Sequence, residues 1–211
     1  MTQSRLAVVC LCLLLAGCSS QPELKKDAAA PATKAPAANP SGVPDVYKVK
    51  VVTSKGPFVI EAHREWAPRG ADRFYELIQD HYYNDARFFR VIPNFVAQFG
   101  LAANPAMTKK WDKSIDDDVV AHTNGVGTVT FATAGRNSRT TQVFINLSSN
   151  QTLDDKGFAA FGKVIEGMGV VEKLYSNYGD APDQDLINRR GNSYLKSRFP
   201  LLDYIKTATI L

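Results

Sequence analysis

Residues 87–100 read RFFRVIPNFVAQFG, the stretch that decides both the predicted fold and the place to look for function. Its four phenylalanines, two valines and one isoleucine predict two short strands, 88–92 and 95–99, with a proline–asparagine break between them. Arg90 and Gln98 stand inside these apolar strands. Because a fixed cation and an amide on an apolar surface need polar partners, both are candidates for a functional site.

From residue 45 onward the chain has the pattern of a strand-rich globular domain. Further strands are predicted at 45–53, 57–63, 127–133, 142–147, 158–165 and 201–210, and helices after Ala67 and over 170–175. Many short strands with two helices predict a mainly β fold. A closed antiparallel barrel would remove exposed edges, although a sandwich has the same composition. Residues 180–199 have roughly helical apolar spacing and predict an extra helix, which Gly191 weakens.

The first 17 residues predict a signal peptide. Arg5 gives a short positive region, and residues 6–16 form an apolar run that is too short to span a bilayer. The run ends in Leu-Ala-Gly-Cys, which resembles the bacterial lipobox, whose cysteine is acylated and becomes the new N-terminus. This resemblance implies lipidation at Cys18. The alternative is an ordinary secretory leader in which Cys18 is incidental.

Residues 18–44 are rich in alanine and proline and predict a tether, because such a segment cannot bury enough apolar surface to fold. The predicted organisation is a signal peptide at 1–17, a lipidated tether at 18–44 and a folded domain at 45–211. In Gram-negative lipoproteins an aspartate after the cysteine commonly signals retention in the inner membrane, and here Ser19 follows. In such a host we expect the protein to lie in the cell envelope, at the periplasmic face of the outer membrane.

Several classes of function are excluded by composition and spacing. The net charge of +4 is small and no basic run is clustered, so we expect no nucleic-acid partner. All three cysteines precede residue 19, which leaves the predicted domain no disulfide, thiol nucleophile or cysteine metal site. The histidines lack metal-ligand spacing, and the acidic run 116–118 lacks that of a calcium loop and predicts a solvated loop. No metal or cofactor is predicted.

Three motifs, in order, resemble those of the cyclophilins. FFRVIPNFVAQFG at 88–100 is similar to that family's FHRVIPGFMxQGG. TVTFATAG at 128–135, followed by TTQVFINL at 140–147, is similar to its SMAxAGxxxxxSQFFI, and LDDKGFAAFGKVIEGM at 153–168 to its LDxxxxVFGxVxxGM. The resemblance covers about 45–175. It implies a peptidyl-prolyl cis-trans isomerase on an eight-stranded antiparallel barrel with two helices, acting on proline-containing segments of folding proteins.

The resemblance also implies roles for individual residues. Arg90 would donate a hydrogen bond to the proline nitrogen, and Gln98 would hold the substrate carbonyl oxygen. The side chains expected to form the pocket for the proline ring are those of Phe95, Val96, Phe144 and Leu153. The residues expected along the peptide groove are Ala132, Thr133 through its backbone, Ala134 and Gln142. The residues alone favour a structural ion pair for Arg90, and the resemblance reverses that preference. Gln98 has a surface amide as its alternative, and Phe88 and Phe89 are better candidates for core than Phe95.

The sequence departs from the family pattern at several of these places. Val96 replaces methionine and predicts a shallower pocket, Phe99 replaces glycine and is expected to alter the groove floor, and Val143 replaces a phenylalanine. Thr152 stands where many eukaryotic members have a tryptophan that the family links to cyclosporin, so we expect weak cyclosporin binding. A histidine-like position near Gly157 and Phe158 stays unassigned. These changes keep a second hypothesis open, a proline-segment binding module without useful turnover.

Overall fold

A computed structural model describes residues 42–211, in which the strands form one eight-stranded antiparallel sheet. The strands are β1 Val46–Thr53, β2 Gly56–His63, β3 Arg90–Ile92, β4 Val96–Phe99, β5 Thr128–Phe131, β6 Val143–Asn146, β7 Ala160–Glu166 and β8 Ile205–Ile210. All of the strands predicted from sequence are present, most of them shorter than expected. The predicted signal peptide, Cys18 and the tether through residue 41 lie outside the described residues.

The sheet curls into an open half-barrel, and the predicted closed barrel is not confirmed. The strand order is β3-β4-β6-β5-β7-β2-β1-β8, which leaves β3 and β8 as edges. Within residues 42–211 these edges meet only near an isolated bridge between Arg87 and Tyr204, where the Phe88 amide donates to the Asp203 carbonyl at 3.0 Å. Continuing that register would set β3 against the end of a helix, and β8 against the turn at 81–85. Neither segment is a strand, so the ladder stops.

Within residues 42–211, five α-helices and one 3₁₀ helix accompany the sheet, more than the two helices and one extra helical segment that the sequence predicted. They are α1 Pro68–Gln79, α2 Pro105–Lys110, the 3₁₀ helix Gln151–Leu153, α3 Met168–Val171, α4 Gln184–Arg190 and α5 Asn192–Arg198. Helix α2 was not predicted, although its signal is present in the sequence. Asn104 caps it by accepting from the Ala106 amide at 3.0 Å, and Pro105 opens its first turn.

The extra segment near the C-terminus is confirmed as helical, but it is split into α4 and α5 at Gly191. Gly191 has a φ of +53°, and a Cβ there would overlap the carbonyl oxygen of Ala103 and lie 2.9 Å from Pro105 Cδ. A satellite apolar cluster fixes both helices to the outside of the sheet. Its buried members are Phe89, Leu101, Ile187, Tyr194, Leu195 and Leu202.

Strand alternation divides the sheet into two faces. One face belongs to the main core and includes Val91, Ala97, Phe99, Val129, Phe131, Val143 and Ile145. Because successive side chains of a strand point to opposite faces, the intervening residues of the same strands turn away from that core. This second face carries Arg90 and Gln98.

The acidic run at 116–118 is a loop, as the sequence predicted, with Asp116 exposed and Asp117 partly exposed, but Asp118 is not solvated. Asp118 is buried and pairs with the buried Arg139 at 3.0 Å, and it also accepts from the amide of Gly70 at 2.9 Å. Arg139 in turn donates to the Asp116 carbonyl. The prediction was wrong for Asp118 alone, because only the tertiary fold brings Arg139 to this run. The same contacts tie the 133–142 segment to the start of α1.

Replacing Gly191 with alanine is expected to destabilise the domain by about 2–5 kcal/mol, because the new Cβ meets rigid backbone at a positive φ. Gly169→Ala is the matched control. Gly169 lies in α3 with open space around its Cβ position, so alanine there should be neutral or stabilise by up to about 1 kcal/mol. Urea unfolding of both variants measures the difference. Equal midpoints would contradict the role given to Gly191.

Candidate active site

One row of paired residues across three strands sets the geometry of the site. Arg90 in β3 is opposite Gln98 in β4, and Gln98 is opposite Phe144 in β6. Since directly paired residues of antiparallel strands point to the same face, these three side chains stand side by side. They share the face turned away from the main core, where Val96, two residues before Gln98, joins them.

A cavity of about 180 Å³ lies over this row. Its lining is Arg90, Phe95, Val96, Gln98, Ala132, Thr133, Phe144, Leu153 and Phe158. Val96, Phe144 and Leu153 are buried and form an apolar cluster of their own, separate from the main core, against which Phe95, Ala132 and Phe158 pack. The cavity is therefore apolar on most sides, with the guanidinium and the amide as its polar edge.

The half-buried side chain of Arg90 is held without a carboxylate. Its Nη1 donates to Gln98 Oε1 at 3.3 Å, and its guanidinium lies 5.5 Å from the centre of the Phe95 ring. Among residues 42–211 no acidic side chain forms an ion pair with Arg90, so a structural ion pair does not account for this cation. The remaining N–H groups of its planar fork are available to a ligand in the cavity.

A second cavity of about 280 Å³ adjoins the first and shares Gln98, Ala132 and Thr133 with it. It also contains Ala134 and Gln142, together with Ser138, Thr140 and Gln184. Gln98 Nε2 donates to Gln142 Oε1 at 2.8 Å, so a polar chain runs from Arg90 through Gln98 into this second cavity. All ten residues predicted for catalysis and substrate binding thus line one of two connected cavities.

A buried network of asparagine side chains supports the wall of the first cavity. Asn124 is fully buried, and its Nδ2 donates to Asp154 Oδ1 at 2.7 Å and to the Phe158 carbonyl at 2.8 Å. Its Oδ1 accepts from Asn146 Nδ2 at 3.1 Å. Burial alone would raise the pKa of Asp154, but the hydrogen bonds from Asn124 outweigh it and lower that pKa.

The same network also reaches Phe95, another lining residue of the cavity. The half-buried Asn150 donates from Nδ2 to the Phe95 carbonyl at 2.9 Å and to Asn146 Oδ1 at 2.7 Å. The backbone positions of Phe95 and Phe158 are therefore fixed through one set of connected amides.

Comparisons with known proteins agree with this geometry. The family model described as cyclophilin type peptidyl-prolyl cis-trans isomerase/CLD matches residues 48–190. The chain belongs to the cyclophilin-type peptidyl-prolyl cis-trans isomerases. Its enzymatic activity is that of the family, the isomerisation of peptide bonds that precede proline.

Two curated relatives show how far the similarity extends. The peptidyl-prolyl cis-trans isomerase ppi1 of Schizosaccharomyces pombe is 34% identical over 145 residues, which covers 65% of this chain and 91% of that protein. A peptidyl-prolyl cis-trans isomerase of Acinetobacter baylyi is 36% identical over 135 residues, covering 60% of this chain and 70% of that protein.

A solved cyclophilin shows the same fold. The crystal structure of a cyclophilin type peptidyl-prolyl cis-trans isomerase from Cryptosporidium parvum superposes with a TM-score of 0.59 at 24% identity. The superposition covers 79% of this chain and 98% of that one.

The cyclophilin motifs left some lining residues unassigned. Phe158 lines the first cavity, with its ring centre 5.8 Å from that of Phe144. It lies near the histidine-like position that the motifs left unassigned. A loop of different length hides such a residue from motif matching. Gln184 was missed because it belongs to the extra helical segment, outside every motif.

The prediction for Phe99 was wrong. It was expected to alter the groove floor, but its ring is buried in the main core, 5.1 Å from Phe88 and 5.2 Å from Tyr83. Alternation explains the correction, because Gln98 faces the groove and its neighbour therefore faces the core. The prediction that Phe88 and Phe89 are core residues is confirmed, Phe88 in the main core and Phe89 in the satellite cluster.

Residues 42–211 contain neither a metal-binding cluster of side chains nor a membrane-spanning helix. No group of three or more histidine, cysteine, aspartate or glutamate side chains there could hold a metal ion. Over the same residues, no helix has the length and apolar character needed to cross a membrane.

Replacing Asn124 with alanine is expected to destabilise the domain by about 3 kcal/mol, because several buried polar groups lose their partner. Asn177→Ala, an exposed asparagine outside the network, should change the free energy of unfolding by less than about 0.5 kcal/mol. Chemical denaturation at pH 7 compares the two variants.

Acid provides a second measurement on the Asn124 variant. A carboxyl group whose pKa is lowered by folding contributes stability above its unfolded pKa, near 4, and loses that contribution as the pH falls through the folded pKa. The stability difference between wild type and Asn124→Ala should therefore narrow below about pH 4. A difference that stays constant would contradict the coupling of Asn124 to Asp154.

Proposed function

We propose that Arg90 is the catalytic residue of this isomerase and that the first cavity holds the proline ring. The observation that carries the proposal is a guanidinium with no carboxylate partner among residues 42–211, fixed by Gln98 and Phe95 at the edge of an apolar cavity. A solved relative from Cryptosporidium parvum was crystallised in the presence of the dipeptide Ala-Pro, which supports a proline-sized ligand for the corresponding fold.

The chemistry requires no covalent bond to form or break. Partial double-bond character gives the amide bond before proline a rotational barrier of about 18–20 kcal/mol. In the twisted state this resonance is lost, and the proline nitrogen gains a lone pair that can accept a hydrogen bond. A donor that meets this lone pair binds the twisted state more tightly than either planar isomer and so lowers the barrier.

Arg90 suits this task because arginine keeps its charge and its guanidinium is rigid. The apolar walls strengthen its hydrogen bond once a proline ring fills the cavity, because a charge interaction is stronger where less water surrounds it. Gln98 orients the guanidinium and, in the proposal, holds the carbonyl oxygen of the residue before proline. Phe95, Val96, Phe144 and Leu153 enclose the ring, and Ala132, Thr133, Ala134 and Gln142 border the peptide.

Arg90→Ala is expected to lower the catalysed exchange rate of a short Xaa-Pro peptide by about a hundredfold or more, the usual loss when a transition-state donor is removed. Peptide binding should weaken much less. Arg90→Lys should recover only part of the rate, because lysine lacks the planar fork. The measurement is cis–trans exchange by NMR on residues 42–211, which contain the whole described domain.

Arg136→Ala is the matched control, because it removes an exposed arginine that lines neither cavity. It should leave the exchange rate unchanged. An Arg90→Ala variant that catalyses exchange as fast as wild type would refute the assignment.

The alternative is a proline-segment binding module without useful turnover. It was kept open by the changes at Val96, Phe99 and Val143, but Phe99 and Val143 are buried in the main core and leave the cavities unaltered. Only Val96 changes the lining itself. The isomerase hypothesis is therefore favoured. A wild-type protein that binds the peptide but leaves its exchange rate at the spontaneous value would favour the binding module instead.

We further propose that the enzyme acts in the bacterial cell envelope, tethered by lipidated Cys18 and assisting the folding of proteins that carry slow proline steps. The support is the sequence alone: a signal-peptide pattern at 1–17, a lipobox-like ending at Cys18 and an alanine- and proline-rich tether. Ser19 favours the outer membrane in a Gram-negative host.

In a Gram-negative host, Cys18→Ala is expected to move the full-length protein out of the outer-membrane fraction and to abolish labelling by a fatty-acid analogue. Stable anchoring needs the acyl chains, which this variant cannot carry. Cys12→Ala, in the apolar part of the leader, should leave both the fractionation and the labelling unchanged. A Cys18→Ala protein that stays in the outer-membrane fraction would show that lipid does not anchor it there.

Weak cyclosporin binding also remains a proposal. Thr152 is exposed and does not line the first cavity, so it offers no large apolar surface beside the proline site. The inhibition of catalysed exchange by added cyclosporin, in the same NMR assay, measures this binding.

A further inference from the structure

The two cavities of the site continue into a third. The third cavity has a volume of about 240 Å³ and shares Thr140 and Gln142 with the second. Among its other lining residues are Leu101, Lys109 and Asn188. A continuous depression thus leads from the proline cavity, past Gln98 and Gln142, to the space between α2 and α4.

Helix α4 forms one wall of this depression. Gln184 lines the second cavity and Asn188 lines the third, and residues four apart lie on the same face of a helix. Ile187, between them in sequence, is fully buried in the satellite cluster and fixes the helix against the sheet. Phe89, the residue before Arg90, is buried in the same cluster. Helix α4 and the start of strand β3, which carries Arg90, are therefore anchored in the same cluster.

The polar groups of this wall have no partner of their own. Gln184 and Asn188 are exposed, and within residues 42–211 neither side chain makes a hydrogen bond. Lys109, across the third cavity, likewise has no ion pair there. Each amide side chain offers both a donor and an acceptor, which matches the alternating N–H and C=O groups of an extended peptide.

The direction of the peptide follows from Gln98, which belongs to both the first and the second cavity. If Gln98 holds the carbonyl oxygen of the residue before proline, the residues that precede proline continue into the second cavity. Leu101 of the third cavity is three residues beyond Gln98, so their Cα atoms are at most about 11 Å apart. The third or fourth residue before proline would reach that far.

We infer that α4 forms an extended peptide subsite, in which Gln184 and Asn188 bind the main chain of the residues two to four positions before the proline. This inference rests on the proposed function. Because amides recognise the peptide backbone rather than particular side chains, the subsite selects for the length of extended chain before proline and not for its sequence. It makes the enzyme favour unfolded protein segments over short peptides.

The test compares two peptides with one Xaa-Pro bond each, one with a single N-acetylated residue before proline, which lies outside the proposed subsite, and one with six residues before proline. For wild type, kcat/KM for exchange should be about five- to tenfold higher with the longer peptide, the effect of two net hydrogen bonds. Gln184→Ala/Asn188→Ala should turn over the short peptide as wild type does and lose most of this gain. Alanine is a good helix former, so α4 is retained.

Asp185→Ala/Arg189→Ala is the matched control, since it changes another pair four residues apart on α4 that lines none of the three cavities. This control variant should keep the higher kcat/KM with the longer peptide. A wild type that exchanges both peptides equally fast, or a Gln184/Asn188 variant that keeps the gain, would overturn the inference and leave the proposed function standing. A wild type that catalyses exchange of neither peptide would overturn the proposed function and this inference with it.

Discussion

The site depends on the register between β3, β4 and β6. Pairing Arg90 with Gln98, and Gln98 with Phe144, places a cation, an amide and an aromatic ring side by side on the face turned away from the main core. A slip of one residue would turn Arg90 into that core and bring Val91 out, because strand side chains alternate. Burying an unpaired guanidinium is far costlier than any gain from the slip, so the apolar core itself fixes the register.

The cavity is built from apolar side chains, but buried polar groups hold it in shape. Asn124, Asn146 and Asn150 connect the strand face to the loop that carries Phe158 and to the carbonyl of Phe95. Apolar packing alone would leave these loops free to shift, whereas a fully paired amide network allows one arrangement. A rigid cavity matters to an isomerase whose catalysis rests on positioning one donor.

Helices α4 and α5 stabilise the edge of the sheet, and α4 also borders the groove. They bury Phe89 under the satellite cluster, at a position where the family usually has histidine, and the same helices bring Gln184 to the second cavity. One short insertion thus supports the edge strand that carries Arg90 and extends the surface beside it. Gly191 makes this arrangement possible, because a side chain there would collide with the backbone at Ala103.

The sequence by itself determined the mainly β class, the strands, the family and ten of the fourteen residues that line the first and second cavities, since these depend on local alternation and on motifs that lie within single segments. Only the tertiary structure decided the rest. The open edges follow from the turn at 81–85 and the helix end near residue 199, which stop strand pairing on either side of the Arg87–Tyr204 bridge. The burial of Asp118 follows from its ion pair with Arg139, and the placement of Phe158 and Gln184 follows from loops and helices outside every motif. Each of these joins residues distant in sequence, and no local pattern records such a contact.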